Sequence, residues 1–243
     1  MTGWGWDDVL PYFLPHEDHE NPPNQFHRSG GEWRVERPRI SWDVLDRLRD
    51  AAEQAGIPKI DDFNTGDKTG ASYFQVNQRR GRRWSAARGF LKPALGRPNL
   101  RVETGAHVDR VEMAGGRARA LIYRKDGRTY RAAAGEVVLS TGAVGSPLVL
   151  ERSGIGDPEI LKAHGIDPVI ESLGVGRNLQ DHLQVRPVYK VSGIRTLNGD
   201  YANLVRRALM GIDYALRRRG PLTMAPSQMG AFEIVTRTRY GES

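Results

Sequence analysis

One stretch decides how this chain is interpreted: residues 142–156 carry GAVGSPLVLERSGIG. They follow an apolar run, EVVLS at residues 136–140, which predicts a buried strand. A turn of small residues, a short helix and a second glycine turn then follow. Small residues at the end of a strand allow another backbone or a cofactor to approach closely. By itself, this pattern predicts a strand–turn–helix unit of a mixed α/β protein.

The rest of the chain predicts a mixture of helices and strands rather than one class of element. Apolar periodicity near 3.6 and capping signals predict helices over residues 4–20, 42–55, 85–91, 158–164 and 197–218. Ser41 is the expected N-cap of the second of these helices. Alternation and β-branched residues predict strands at residues 33–37, 72–78, 100–104, 108–112, 118–124, 129–133, 137–139 and 183–191. The fold class is therefore α+β and α/β mixed.

Length and composition set the first limits on function. The 243 residues suffice for one large or two modest domains, and 39% of them are hydrophobic. The chain contains no cysteine, which excludes disulfides, thiolate metal sites and cysteine nucleophiles. No apolar run is long enough for a transmembrane helix.

The net charge of +7 raises the question of an anionic partner. The arginines are concentrated in clusters such as residues 79–83 and 217–219, and neither cluster interleaves aromatic residues for base stacking. We therefore expect no nucleic-acid partner. A catalytically silent basic binding module remains an alternative, and salt-dependent binding to mixed-sequence DNA would reveal it.

Three sets of residues invite a chemical interpretation. His16 and His19 would share a face of the first predicted helix, but no third ligand follows at a recognised spacing, so we expect a solvated polar end and no metal. Ser153 lacks the Gly-x-Ser-x-Gly context of a hydrolase nucleophile. His182 could accept a proton near neutral pH, which makes it a weak catalytic candidate.

Three further blocks accompany the stretch at residues 142–156. They are WGWDDVLPYF at residues 4–13, GRRWSAAR at residues 81–88 and GVGRNLQDH at residues 174–182. In this order the four blocks resemble the glucose–methanol–choline (GMC) family of flavin oxidoreductases, and residues 142–156 resemble its second signature, in which a Ser-Pro pair precedes Ser-Gly-aliphatic-Gly. The resemblance covers nearly the whole chain, and residues 178–182 and the GPL segment at residues 220–222 are similar to the choline-dehydrogenase-like branch.

The resemblance implies a fold, a cofactor and a reaction. The fold is part of a Rossmann-like FAD domain interwoven with an antiparallel-sheet substrate domain. By this reasoning residues 1–98 belong mainly to the substrate domain and connecting helices, residues 99–180 to the FAD domain, and residues 181–243 to the substrate domain. The implied reaction is oxidation of a small alcohol by hydride transfer to FAD. Oxygen and a quinone both remain possible electron acceptors.

The resemblance also implies site residues. Val108, a plain strand valine on local grounds, would meet the adenine ring through its backbone. Thr141, Gly142 and Ala143 would let the strand end lie against the cofactor. The proton-accepting histidine of the family lies downstream, so the resemblance makes His182 a loop anchor and assigns no catalytic residue to this chain.

Other family segments are not found in the sequence. The Gly-x-Gly-x-x-Gly fingerprint, the first signature and the C-terminal histidine segment are missing from residues 1–243. We therefore expect the central piece of a longer enzyme, cytoplasmic or peripheral to a bacterial inner membrane, that alone holds FAD weakly or not at all. A truncated, non-functional reading frame is the remaining alternative.

Overall fold

The computed structural model describes residues 2–233. Its helices, in chain order, are α1 (Trp6–His16), α2 (Asp43–Gln54), α3 (Lys92–Ala94), α4 (Gly142–Arg152), α5 (Pro158–Ala163), α6 (Leu197–Ala202) and α7 (Leu204–Arg217). A π-helical turn, Ala87–Leu91, leads into α3, and a 3₁₀ turn, Pro221–Thr223, follows α7. In the described part of the chain no helix combines the length and the apolar character that crossing a bilayer requires.

The strands are short and fall into five small sheets among the described residues. They are β1 (Glu17–His19), β2 (Trp33–Val35), β3 (Gly70–Tyr73), β4 (Gln78–Arg79), β5 (Arg82–Arg83), β6 (His107–Ala114), β7 (Arg117–Lys125), β8 (Arg128–Ala133), β9 (Ile155–Gly156), β10 (Ile170–Glu171) and β11 (Met229–Phe232). The mixed helix-and-strand class predicted from the sequence is confirmed.

Tertiary contacts divide the chain into two compact units. The central unit is Arg101–Val188, and the split unit combines the residues up to Leu100 with those from Tyr189 onward. The chain therefore leaves the split unit once and returns to it.

The central unit is built on an antiparallel meander, β6–β7–β8. Both of its turns are predictable from the sequence, because Gly115 and Gly116, and then Asp126 and Gly127, adopt the positive φ that tight hairpins need. Buried side chains from β6, β7, α4 and α5 form its small core: Val111, Ala120, Ile122, Val149 and Leu161. The three strands predicted between residues 108 and 133 are confirmed.

In the split unit, distant parts of the chain pair as neighbouring strands. β11 lies antiparallel to β3, with Ala231 opposite Ala71, which is fully buried. β1 and β2 pair in parallel, with Glu17 opposite Trp33. The helix α2 packs on β3, but none of its residues is fully buried and Leu48 is 55% exposed.

Three predicted strands are wrong. Residues 100–104, 137–139 and 183–191 form no ladder, and Val138 and Leu183 are 79% and 95% exposed. Apolar alternation shows only which side chains a strand could bury. A strand also needs a neighbouring strand whose backbone pairs with its N–H and C=O groups. No described residue pairs with these segments.

Several predicted helix boundaries also need correction. The N-cap of α2 is Trp42 rather than Ser41, and no side chain caps this helix. The first helix ends at His16 because the chain turns extended at Glu17. The long helix expected over residues 197–218 is broken at Asn203, whose side chain accepts a hydrogen bond from the N–H of Arg206 and so starts α7.

Candidate functional site

The N-terminus of α4 is an open helix end made of small residues. Thr141 is its N-cap residue, and Gly142 has a φ of +86° with nothing within 4 Å of where a Cβ would lie. Among the described residues no side chain caps the helix. The first-turn amides of a helix have no partner within the helix, and the dipole makes this end attractive to anions. Thr141, Gly142 and Ala143 are exposed. They lie beside the first-turn N–H groups of α4, which can donate hydrogen bonds to a ligand.

A short-range contact holds this turn in place. The Thr141 N–H donates to Oγ of Ser146 at 3.3 Å, and the two hydroxyl oxygens lie 3.0 Å apart. A Cβ on Gly145 would lie 3.0 Å from Cβ of Thr141, tighter than most real contacts. A larger residue at position 145 would push the N-cap out of place, which explains a small residue here.

Val108 lies near the start of β6, half-buried and opposite Tyr123 on β7. The ladder slips directly after it, because Asp109 has no partner on β7 and Arg110 pairs with Ile122. This bulge gives the strand an extra residue and a local bend. The carboxylate of Asp109 is bound by Arg110 and by Arg152 of α4.

The C-terminal end of α4 is tied to β6. Oγ of Ser153, directly after the helix, accepts a hydrogen bond from the Val111 N–H at 2.8 Å. Arg152 pairs with Asp109 from the same helix end. The structure therefore brings Val108 close to one end of α4 and puts Thr141, Gly142 and Ala143 at the other. The helix α4 itself measures about 15 Å from its first to its last of 11 residues, given a rise of about 1.5 Å per residue.

The glycine turn after α4 meets the segment at residues 174–182. Asp157 caps α5 by accepting the Glu159 N–H at 3.0 Å, and Arg177 donates to the same carboxylate at 2.8 Å. These bonds, that of Arg177 first, hold the pKa of Asp157 below its usual range. An ion pair that sequence reasoning missed thus joins the residue directly after the block at residues 142–156 to the block at residues 174–182.

His182 lies in an exposed loop with no regular structure. Its backbone N–H donates to the carboxylate of Asp181 at 2.8 Å, while no hydrogen bond from its ring is found among the described residues. The structure does not bring His182 together with Val108 or with the N-terminus of α4 by any contact. Its role as a loop anchor stays a prediction.

The split unit contains a cavity of about 1100 Å³. Aromatic side chains line it, namely Trp33, Trp84 and Tyr214, and so does the segment at residues 222–227 that follows Gly220 and Pro221. Gln75, Asn77 and Arg83 add polar groups. The sequence marked Trp84 and Leu222 through family blocks, but nothing in it indicated Trp33 or Tyr214.

One wall of this cavity depends on a close backbone approach. Gly81, with φ +74°, lies so near the carbonyl of Arg218 that a Cβ would overlap it. Arg218 itself adopts a left-handed conformation at the end of α7. Trp84 is fixed by its indole N–H, which donates to the Glu32 carbonyl at 2.8 Å.

The histidines are arranged differently from what the helix spacing predicted. His16 is exposed and lies 3.5 Å from Glu32, whereas His19 belongs to β1 and is 2% exposed. His19 stacks on His27 with ring centroids 4.2 Å apart, and Asp62 lies beside both. The helix ends before His19, so the expected pairing of His16 with His19 on one helix face does not occur.

Comparison with known proteins gives a consistent family signal. A family model described as GMC oxidoreductase matches residues 1–184. Human mitochondrial choline dehydrogenase is 36% identical over 231 residues, which cover 95% of this chain and 39% of that protein. The chloroplastic fatty acid photodecarboxylase of Chlamydomonas reinhardtii is 35% identical, over 96% of this chain and 41% of its own length.

A solved structure is also similar over nearly the whole chain. A fungal aryl-alcohol oxidase matches with a TM-score of 0.81 and 25% identity, over 96% of this chain and 42% of that one. The chain therefore spans about two fifths of the length of the curated relatives and of this structure.

Proposed function

Because the chain belongs to the GMC oxidoreductase family, we propose that it is part of an FAD-dependent enzyme that oxidises a small alcohol to a carbonyl compound. The observation that carries this proposal is the open, uncapped N-terminus of α4, formed by the residues of the family signature. The similarity to choline dehydrogenase and to an aryl-alcohol oxidase supports an alcohol as substrate.

The residues present fit the proposed cofactor. Gly142 has open space where any other residue would carry a Cβ, so the backbone can lie against a ligand there. The first-turn amides and the helix dipole suit an electron-rich or anionic group of that ligand. Thr141, Gly142 and Ala143 would make this contact, held in position by Ser146.

The adenine end of the cofactor is assigned to the other end of α4. We propose that the backbone of Val108 meets the adenine ring, at the point where the bulge at Asp109 interrupts pairing with β7. A ligand that touches both Val108 and Gly142 would contact two separate elements, β6 and the start of α4, and an extended dinucleotide suits such a pair of contacts. On this view residues 99–180 are part of the FAD domain.

The alcohol is assigned to the split unit. Residues 1–98 and 181–243 would form the substrate domain, and of these only residues 181–188 fall in the central unit. The cavity of the split unit offers aromatic walls for an apolar body and amide groups at Gln75 and Asn77 for a hydroxyl. The chemistry that bound FAD supplies is acceptance of a hydride from the alcohol carbon. Trp33, Trp84 and Tyr214 would exclude water and orient the substrate, and we assign no catalytic base to residues 1–243.

Anaerobic flavin reduction tests the proposal. The enzyme that contains this chain is mixed in the dark with choline, aryl alcohols and aliphatic alcohols, and flavin absorbance is followed. We expect at least one alcohol to bleach the flavin and to yield its carbonyl product. Loss of a fatty acid under illumination, with no reduction by any alcohol in the dark, would instead support an activity like that in the name of the algal relative.

A further inference from the structure

Three side chains from separate parts of the split unit converge beneath its surface. His19 ends β1, His27 lies in the loop before β2, and Asp62 lies in the loop after α2. One nitrogen from each histidine and one carboxylate oxygen all lie within 4.8 Å of one another. Imidazole nitrogen and carboxylate oxygen are among the ligands that Zn²⁺ takes in proteins.

The ring of His27 is oriented as that of a metal ligand. Its Nδ1 lies 3.0 Å from both carboxylate oxygens of Glu17. A carboxylate can only accept, so Nδ1 carries the proton, and in the neutral imidazole the lone pair is on Nε2. A carboxylate on the far nitrogen is the arrangement that commonly orients metal-binding histidines.

The other ring nitrogen of His27, Nε2, faces the carboxylate of Asp62 but makes no hydrogen bond to it. Nε2 lies 3.1 Å from Oδ2 of Asp62, yet it makes no hydrogen bond, and the histidine side chain is 4% exposed. Asp62 is held by the Asn64 N–H on Oδ1 and by the Gln75 amide on Oδ2, each at 2.8 Å. A lone pair facing a fixed carboxylate at this distance is repulsive unless a proton or a cation lies with them.

His19 supplies the third ligand atom. Its Nε2 is buried and has no hydrogen-bond partner, while its Nδ1 accepts the Asn21 N–H at 3.1 Å. Ligation through Nε2 requires His19 to give up that hydrogen bond and the stacked rings to tilt toward each other. His27 and Asp62 are therefore the preformed pair, and His19 completes the site as the metal enters.

We propose that His19, His27 and Asp62 bind a divalent cation of the zinc type, with Glu17 as the positioning residue behind His27. Three protein ligands leave a fourth position for water. The two carboxylates, Glu17 and Asp62, supply the negative charge that a buried dication needs.

Zinc titration of the whole chain tests this proposal. Because the cluster is buried, the protein is freed of metal with a chelator, refolded from urea with and without Zn²⁺, and titrated in competition with a chromophoric chelator. We expect one Zn²⁺ per chain and a higher thermal midpoint with zinc than without. A chain that retains no zinc, and whose midpoint zinc does not raise, would overturn the proposal.

Variants assign the metal to these side chains. His27→Ala and Asp62→Asn should each weaken zinc binding by at least about 100-fold, and Glu17→Gln, which keeps all three ligands, by about 10–100-fold. His16→Ala is the matched control, because His16 is exposed beside Glu32 and should leave binding unchanged. If His27→Ala does not fold by circular dichroism, Asp62→Asn and Glu17→Gln decide. Equal affinity in all the folded variants would contradict the site.

Discussion

The hydroxyl oxygen of Ser153 accepts a hydrogen bond from the backbone N–H of Val111, 42 residues earlier in the chain, at a distance of 2.8 Å. The same hydroxyl donates to the Val149 carbonyl at 2.5 Å. Both Ser153 and Val111 are buried. The serine that the sequence excluded as a nucleophile thus joins the signature helix to the central sheet.

Removal of this hydroxyl should destabilise the central unit. Ser153→Ala leaves the buried N–H of Val111 without a partner, so we expect the free energy of unfolding to fall by about 1–3 kcal/mol. Urea unfolding followed by circular dichroism measures the change. Ser140→Ala, at an exposed position, is the control and should stay within about 0.5 kcal/mol of the wild type. A loss equally small in Ser153→Ala would show that the bond contributes little.

The raised pKa of Tyr73 predicts that the protein loses stability in strong alkali. Burial, together with the hydrogen bond that its hydroxyl donates to Asp46 at 2.8 Å, raises the pKa of Tyr73 to about 12. The ordinary pKa is 10.0, so the folded state favours the neutral phenol. The folding stability that Tyr73 contributes through this raised pKa is therefore fully present below about pH 10, and it is lost as the pH rises from there through about 12.

The corresponding measurement is unfolding free energy against pH in wild type and Tyr73→Phe. The variant cannot ionise at this position, so its stability should fall less steeply between pH 10 and about 12. Tyr130→Phe, on β8, is the control and should follow the wild type. Parallel curves for wild type and Tyr73→Phe would refute the expected linkage.

The assignment of Val108 to adenine predicts a contrast between two substitutions in the FAD-loaded enzyme. Val108→Pro removes the backbone N–H and should lose most of the flavin, whereas Val108→Ile keeps the backbone and the branching and should retain it. The ratio of flavin to protein absorbance is the measurement. Tyr130→Pro disturbs the same sheet away from the proposed contact, and it should retain more flavin than Val108→Pro. Equal flavin occupancy in the two Val108 variants would show that Val108 is an ordinary strand residue with no contact to adenine.

His182 is expected to affect flavin reduction only slightly. His182→Gln should leave the rate within about tenfold of the wild type, because the His182 ring makes no hydrogen bond among the described residues and even a structural one would contribute only about 0.5–1.5 kcal/mol. A catalytic base would instead cost about 10²–10⁴-fold and would remove a kinetic pKa near neutrality. Stopped-flow reduction across pH distinguishes these outcomes. A loss above 100-fold, with fold and FAD content intact, would make His182 the base.

By itself, the sequence determined the elements that rest on local chemistry. The meander β6–β7–β8 follows from β-branched alternation and from glycine turns whose positive φ costs little, and α5 follows from its start at Pro158 and its stop at Gly165. The family blocks marked Thr141, Gly142 and Ala143, which the structure places at one open helix end. These features depend only on residues that are close in the sequence, so the pattern of residues along the chain predicts them.

Only the tertiary structure decided what depends on distant partners. Val138 and Leu183 have strand-like patterns but no neighbour in the described chain, and backbone groups without partners form no ladder. His19 at the end of β1 meets His27 and Asp62 from two separate loops, a grouping that helical spacing could not reveal. The bond from Ser153 to Val111 likewise spans 42 residues. Such contacts depend on how the chain folds back on itself, which residue spacing along the sequence does not record.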